Sequence, residues 1–137
     1  MTKKQGFTLI ELMISISIIA ILTALATFSF SSAQKKGRDS RRAQDIKVLQ
    51  LAAEQYIMQS GAYPSSAVAP WSYDGQDILK EIPYEPKSGA PGYALAVNSA
   101  NYCFCATMEN PVTGNALDST CSFSGGTGPY FCAENQQ

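Results

Sequence analysis

An almost uncharged apolar run, residues 7–30, constrains this chain more than any other feature. Its only charged residue is Glu11. At about 1.5 Å of rise per residue, a helix of this length extends roughly 36 Å, which is enough to cross a hydrocarbon core of about 30 Å. A lone carboxylate in such a helix is costly, so we expect Glu11 to have a function.

Two other interpretations of the apolar run are weaker. A secretory signal peptide carries a shorter apolar stretch of about 7 to 15 residues before a small-residue cleavage site. Ala24 and Ala26 are similar to such a site, but the run is too long and Glu11 interrupts it near its start. A helix buried in a protein core needs apolar neighbours on all sides, and the rest of the chain is too polar to provide them.

The first residues resemble the N-terminus of type IV pilins and of the pseudopilins of type II secretion. In that family a short basic leader ends in glycine and is followed by Phe-Thr-Leu-Ile-Glu-Leu. Here Lys3, Lys4 and Gly6 precede that same sequence, which runs from Phe7 to Leu12. The resemblance implies that a prepilin peptidase cuts between Gly6 and Phe7 on the cytoplasmic face. It also implies that Phe7 becomes an N-methylated, still positively charged, first residue.

Cleavage would place the new amine of Phe7 and the carboxylate of Glu11 on one face of the helix, because they lie four residues apart. The resemblance implies that in a fibre Glu11 pairs with the Phe7 amine of a neighbouring subunit. A positive partner offsets part of the penalty of a carboxylate at low dielectric. We therefore expect the pair to fix the axial register between subunits. The alternative is that Glu11 merely lies in the lipid headgroup layer.

The helix is predicted to continue to Ser60, over about 80 Å in total, because residues 31–60 contain no proline and a single glycine, Gly37. Gly61 and Pro64 then supply a C-terminal stop. This Gly-x-Tyr-Pro ending also resembles pilin-like proteins, so the likeness covers about the first 64 residues. The buried stripe predicted from three- and four-residue spacing consists of Ala43, Ile46, Leu49, Ala53, Tyr56 and Ile57. The second apolar face, which would meet neighbouring subunits, consists of Val48, Leu51, Ala52 and Met58.

Loop signals and then strand signals follow the helix. Prolines and glycines predict a long connection over residues 65–92, with a short helical turn at residues 77–82. A hairpin of residues 93–97 and 102–108 is expected next. Alternation along its second strand predicts one face that packs on the helix stripe, made of Tyr102, Phe104, Ala106 and Met108.

Later strand signals are weaker. Residues 120–123 and 129–132 are the remaining strand candidates, and residues 125–128, which contain three glycines, are expected to form a flexible turn rather than a phosphate-binding loop.

Four cysteines lie near the end of the chain: Cys103, Cys105, Cys121 and Cys132. An even number in a small anchored domain is typical of two disulfides in an oxidising compartment. A bond between Cys103 and Cys105 is disfavoured, because residues two apart on a strand are separated by about 7 Å. We favour Cys103 with Cys121 and Cys105 with Cys132, while the third pairing stays open. A zinc site is the alternative, but the spacing does not match paired C-x2-C motifs.

Charge and composition exclude several classes of function. The chain contains no histidine, which removes Ser-His-Asp and Cys-His arrangements, and no enzyme activity is expected. Residues 31–60 carry six basic and three acidic groups, whereas residues 61–137 carry two basic and seven acidic groups. This predicts a basic helix collar and an acidic head, with most of these charges on a solvated surface.

No cofactor and no metal site are expected. Some pseudopilins carry calcium in the loop region of the head, so the resemblance makes calcium the alternative to a head without a metal. Its candidate ligands, which are better explained as surface charge, are Asp74, Asp77, Glu81 and Glu85.

These features together predict an α+β, pilin-like fold. A long N-terminal α-helix, transmembrane in its first half, would pack against a small antiparallel β-sheet head. The predicted segments are a leader peptide at residues 1–6, a transmembrane and assembly helix at 7–30, its amphipathic continuation at 31–61, and a globular head at 62–137.

The resemblance implies a structural subunit of a type IV pilus-like filament, or fimbria, that is polymerised through its N-terminal helix. The alternative is a type II secretion pseudopilin or a minor pilin that acts in protein secretion, adhesion or DNA uptake. The implied partners are copies of itself, other pilins, the prepilin peptidase, an inner-membrane platform protein and an assembly ATPase. The membrane would hold the subunit before assembly, and nucleic acid is not an expected partner because the head is acidic.

The expected location is the inner membrane, crossed once, with the leader in the cytoplasm and the head outside. The subunit would then move into an extracellular pilus or a periplasmic pseudopilus. The basic residues that follow the apolar run conflict with the positive-inside rule. The cysteines and the need for a cytoplasmic leader outweigh that rule in our interpretation.

Overall fold

The computed structural model describes residues 6–135 of the chain. The chain divides into two compact units, Met1–Gln34 and Lys35–Gln137. The first contains the beginning of a long helix. The second contains the rest of that helix and all the strands.

The helix, α1, runs from Leu9 to Ser60. This confirms the predicted single helix, and Gly37 does not interrupt it. Gly61 follows with φ of 81°, a left-handed conformation that glycine adopts without steric penalty. Its N–H donates to the carbonyl of Ile57 at 2.8 Å, so the helix ends as the Gly61 signal predicted.

Seven strands follow within the described residues, all antiparallel to their neighbours. They are β1 (Trp71–Tyr73), β2 (Gln76–Leu79), β3 (Ala94–Val97), β4 (Tyr102–Thr107), β5 (Gly114–Ala116), β6 (Phe123–Gly128) and β7 (Tyr130–Glu134). β1 and β2 form a two-stranded sheet, and the other five form a sheet in the order β3-β4-β7-β5-β6. A long helix with antiparallel sheets confirms the α+β prediction.

The predicted helical turn at residues 77–82 is wrong, because Gln76–Leu79 is the second strand of the β1–β2 hairpin. Asp74 and Gly75 connect the two strands with φ of 49° and 77°. An Asp-Gly pair is a strong signal for a two-residue hairpin turn. That signal was present in the sequence and would have identified the hairpin.

The predicted flexible turn at residues 125–128 is also wrong, since these residues belong to β6. The two weak strand candidates overlap β6 and β7. β5 was missed because its Gly-Asn-Ala sequence lacks the β-branched and aromatic residues that mark strands. It lies between β6 and β7, which are consecutive along the chain.

The core of the second unit lies between α1 and the larger sheet. Ile46, Leu49 and Ala53 are fully buried with Phe104 and Ala106 of β4. This confirms the central part of the predicted helix stripe and the inward face of the strand. Val48, Leu51 and Met58 are exposed as predicted. Ala52 is not part of that exposed face, because only 6% of its surface is accessible.

Tyrosine hydroxyls link the sheet and the adjoining chain to carboxylates of α1. Tyr102 donates to Glu54 Oε1 at 2.7 Å, and Tyr63 donates to the same oxygen at 3.2 Å. Tyr93 donates to Asp45 Oδ2 at 2.6 Å. Burial, together with the adjacent carboxylates, raises the pKa of Tyr93 and Tyr102 above its ordinary value. The hydroxyls therefore stay protonated and act as donors.

Two disulfides join the same cysteines that the sequence analysis favoured. Cys105 on β4 lies opposite Cys132 on β7, with Cα atoms 4.1 Å apart. The N–H of Cys132 donates a hydrogen bond to Asn115 Oδ1 at 2.7 Å, and Asn115 Nδ2 donates one to the carbonyl of Cys132 at 2.9 Å. Cys103 bonds to Cys121, which lies between β5 and β6. The disulfides therefore tie β4 to β7 and to the segment before β6.

The inserted strand β5 requires glycine at position 128. A Cβ atom on Gly128 would overlap the backbone carbonyl of Ala116, whereas one on Gly126 would meet no atom within 4 Å. We expect Gly128→Ala to lower the free energy of unfolding by about 1–3 kcal/mol and the control Gly126→Ala to change it by less than about 0.5 kcal/mol. Urea unfolding of the full-length protein in detergent can be followed through Trp71, the single tryptophan, which is 3% exposed. Equal free energies of unfolding for the two variants would contradict the requirement for glycine beside β5.

Candidate functional site at the helix N-terminus

Thr8 and Glu11 form a reciprocal cap at the start of α1. The backbone N–H of Thr8 donates to Glu11 Oε2 at 2.9 Å, and its hydroxyl donates to the same oxygen at 2.7 Å. In return, the N–H of Glu11 donates to the Thr8 hydroxyl at 3.3 Å. This is a capping box, in which a threonine N-cap and a glutamate three residues later satisfy each other's backbone donors.

The capping box leaves part of the Glu11 carboxylate available. Both bonds from Thr8 go to Oε2, and in residues 6–135 no basic side chain lies within ion-pairing distance of Glu11. Oε1 is therefore free to accept a donor from another molecule. The sequence analysis did not identify Thr8 as part of the site, although the Thr-x-x-Glu spacing is a recognised capping signal.

Gly6 and Phe7 precede the helix and are exposed, and the Phe7 side chain is 87% accessible. The other leader residues predicted from the sequence lie outside the described residues. An exposed, non-helical peptide bond between Gly6 and Phe7 is open to a protease, because helical backbone must first unwind to enter an extended binding cleft.

The rest of the first unit presents an apolar surface. An 18-residue window of α1 has a mean hydropathy of 2.4, and none of it is buried within the chain. By length and composition, this is the one helix among the described residues that can cross a membrane. Exposed apolar area on this scale marks a surface that contacts lipid or another protein.

Polar side chains within this helix bond back to their own backbone. The Ser15 hydroxyl donates to the carbonyl of Glu11 at 2.8 Å, and the Ser17 hydroxyl donates to that of Met13 at 2.7 Å. Thr27 donates to the Thr23 carbonyl at 2.9 Å. These hydroxyls are satisfied without water, which is the arrangement that a low-dielectric environment requires.

The second unit carries a buried group of charges, here called the arginine cluster, made of Arg38, Asp39, Arg42, Glu85 and Glu109. Arg42 is 2% exposed and Asp39 is 4% exposed. Arg42 donates to Asp39 Oδ1 at 2.7 Å and to Glu85 Oε1 at 2.8 Å, and Arg38 donates to Glu109 Oε2 at 2.8 Å. The cluster joins α1 to two distant parts of the chain.

Asp39 also orders the loop after β4. Its carboxylate accepts hydrogen bonds from the backbone N–H groups of Glu109 and Asn110, at 2.9 and 3.0 Å. Hydrogen bonds from Arg38 and Arg42 lower the pKa of Glu109 to about 2, despite partial desolvation. In the folded protein, Glu109 is therefore ionised at neutral pH.

This shift predicts acid sensitivity. The folded state holds the Glu109 pKa near 2, below its ordinary value of 4.5, so the unfolded chain takes up the proton first. The contribution of Glu109 is complete above pH 4.5 and is lost as the pH falls towards 2. Urea unfolding at a series of pH values should show this decline, and Glu109→Gln should flatten it. The exposed-residue control Glu81→Gln should keep the wild-type slope, and parallel slopes for wild type and Glu109→Gln would contradict the prediction.

The residues considered as zinc or calcium ligands do not form a metal site in the described part of the chain. Cys103, Cys105 and Cys121 lie close enough to hold an ion, but they are oxidised in the two disulfides, so the zinc alternative loses its thiolates. Of the calcium candidates, Glu85 pairs with Arg42, and Asp77 accepts the Ser72 hydroxyl at 2.6 Å. In the described part of the chain the acidic side chains do not form a group of three that could hold an ion.

Comparison with known proteins finds one family model and several relatives of this chain. Residues 1–27 match the model of the prokaryotic N-terminal methylation motif. The chain is 31% identical over 87 residues to the type IV major pilin protein PilA of Myxococcus xanthus, which covers 64% of this chain and 34% of that protein. It is 27% identical over 97 residues to the type II secretion system core protein G of Aeromonas hydrophila. This match covers 61% of this chain and 68% of that protein.

A fimbrial protein of Neisseria meningitidis is similar over almost the whole chain, at 26% identity over 135 residues, or 97% of this chain and 75% of that protein. The chain thus spans only about a third of the Myxococcus protein, and a larger part of the other two. No solved structure matches it.

Proposed function

The chain belongs to the type IV pilin and type II secretion pseudopilin family, and on that premise we propose that it is a structural subunit of a type IV pilus-like filament. Members of these families are structural subunits rather than enzymes. The observation that carries the proposal is the start of α1, where a prepilin-type sequence leads into an apolar helix that the chain itself does not bury.

Processing by a prepilin peptidase is the first step of the proposal. The enzyme would cut between Gly6 and Phe7, and the new amine of Phe7 would be methylated. Exposure of both residues ahead of the helix supports this step. The predicted boundaries follow from it, with residues 1–6 removed and residues 7–30 forming the membrane and assembly segment.

Assembly would then use the free oxygen of Glu11. Two hydrogen bonds from Thr8 hold Oε2 of the carboxylate, which leaves Oε1 for a partner. The proposed partner is the Phe7 amine of a neighbouring subunit. A carboxylate that lacks a cation at low dielectric is strongly penalised, so subunits would be added in the register that brings the two charges together.

The filament would bury the apolar surface of α1 against other copies and carry the second unit outside. Before assembly the subunit would lie in the inner membrane with its head on the oxidising side, where the two disulfides form. An inner-membrane platform protein and a cytoplasmic ATPase would extract it. Other pilins would be additional partners in a mixed filament.

A pseudopilin role is the second candidate, because core protein G of Aeromonas hydrophila is similar to this chain over 68% of its own length. Electron microscopy of filaments sheared from the native cells, with quantitative mass spectrometry of their subunits, separates the two. Abundant extracellular fibres made mainly of this chain would support a major pilin. Its presence only in the cell envelope, or as a trace component of other fibres, would support a pseudopilin or minor pilin.

A further inference from the structure

The structure separates the basic residues of the helix collar into two sets. Arg38 and Arg42 are committed to the arginine cluster. The other four, Lys35, Lys36, Arg41 and Lys47, are exposed and make no ion pair with any described residue. The sequence alone shows a basic segment, and only the structure shows which of its cations have no ionic partner among the described residues.

Three of these cations, Lys35, Lys36 and Arg41, follow the apolar run closely, whereas Lys47 lies about 25 Å beyond Phe30 along the helix. Lys35 comes five residues after Phe30, about 7.5 Å along a helix, and Arg41 comes about 16 Å after it. The polar headgroup layer on each side of a bilayer is roughly 5–8 Å thick. Long basic side chains can bend towards it from a nearby turn. Lys35 and Lys36 therefore fall at headgroup level, and Arg41 lies about 8 Å beyond it, a distance that a long side chain can span.

Their placement around the helix also fits a membrane surface better than a single partner groove. At 3.6 residues per turn, positions 35, 36 and 41 point in three well-separated directions. Headgroups surround a membrane-spanning helix on all sides, so each cation would meet lipid. One neighbouring helix could contact only one or two of these three cations.

We propose that Lys35, Lys36 and Arg41 bind the headgroups of anionic phospholipids in the leaflet on the side of the head. The inference rests on the proposed function, because it requires the unassembled subunit to span the membrane. It gives a role to cations whose position conflicts with the positive-inside rule. It also explains how a head with seven acidic and two basic groups is held near an anionic surface that would otherwise repel it.

The test compares two double variants in the unassembled full-length protein. The collar variant is Lys35→Gln with Lys36→Gln, and the matched head variant is Lys80→Gln with Lys87→Gln, which removes the same charge from exposed positions. Each protein is reconstituted into phosphatidylcholine vesicles that contain a trace of spin-labelled phosphatidylglycerol or spin-labelled phosphatidylcholine. Electron paramagnetic resonance then measures the fraction of each labelled lipid that the protein immobilises.

Wild-type protein should immobilise phosphatidylglycerol several-fold more than phosphatidylcholine, because each cation near an anionic surface is worth roughly a fivefold change in association. High salt should lower the ratio of immobilised phosphatidylglycerol to immobilised phosphatidylcholine towards one, and so should the collar variant. The head variant should keep the wild-type ratio. Unchanged urea unfolding would show that the collar variant folds.

Equal immobilisation of the two lipids by wild-type protein, or equal loss of preference in both double variants, would overturn the proposal. So would a collar variant that keeps the lipid preference but loses filaments, since its cations would then serve the acidic head of a neighbouring copy. The vesicle experiment contains no filaments, so failure of the filament proposal would be seen separately by microscopy.

Discussion

Replacing Glu11 with glutamine is expected to reduce the recovery of filaments at least tenfold. The amide keeps the size of the side chain and can still accept a hydrogen bond from Thr8, but it removes the charge that we propose pairs with the Phe7 amine. Loss of one partner from a desolvated charge pair typically costs about 2–5 kcal/mol, and the contact would recur at every subunit. Filaments sheared from cells can be counted by electron microscopy and quantified against total subunit.

The matched control is Glu81→Gln, which removes an exposed carboxylate from the second unit. It should assemble normally. The unfolding of the head, followed through Trp71, should be the same in both variants, because Glu11 lies in the other compact unit. Normal filaments from Glu11→Gln would refute the role of the carboxylate in assembly and leave it as a helix cap only.

Replacing Arg42 with methionine is expected to lower the free energy of unfolding by about 3–5 kcal/mol. The Arg42 side chain is 2% exposed and contacts three carboxylates, those of Asp39, Glu85 and Glu109. Methionine fills similar space but leaves these carboxylates with one cation, Arg38, where they had two. Removing one partner from a buried ion-pair network is strongly destabilising for this reason.

The adjacent residue provides the control. Arg41 is exposed and unpaired among the described residues, so Arg41→Met should change the free energy of unfolding by less than about 0.5 kcal/mol. Urea unfolding of both variants in detergent, at neutral pH, measures the difference. A destabilisation of Arg42→Met no larger than that of Arg41→Met would show that the arginine cluster does not hold the head together.

The long helix and its core face could be predicted because both are local patterns. An uninterrupted run without proline and a three-to-four spacing of Ile46, Leu49 and Ala53 are visible in any short window of the sequence. The inward face of β4 follows from alternation in the same way. The hairpin of β1 and β2 was also predictable from Asp74 and Gly75, although the prolines on either side of it favour a loop.

The arginine cluster could not be predicted, since its members are distant along the chain. Glu85 lies 43 residues after Arg42 and Glu109 lies 67 residues after it, and no local pattern pairs them. β5 is a similar case. Its place between β6 and β7 depends on close backbone contacts at Gly114 and Gly128, which a sequence window does not reveal.

At the candidate site, Gly6, Phe7 and Glu11 were identified from the sequence, and their roles in processing and assembly stay predictions. The structure adds Thr8 as the residue that orients Glu11. What the sequence of one chain cannot contain is the second copy that would supply the amine. The contact at the centre of the proposed function therefore lies between molecules.

The mass of the intact subunit in filaments sheared from cells tests the account most directly. The proposal predicts a chain that begins at Phe7 and carries one added methyl group on its amine, polymerised into fibres. Recovery of the protein dispersed and unpolymerised, with residues 1–6 still attached, would contradict it.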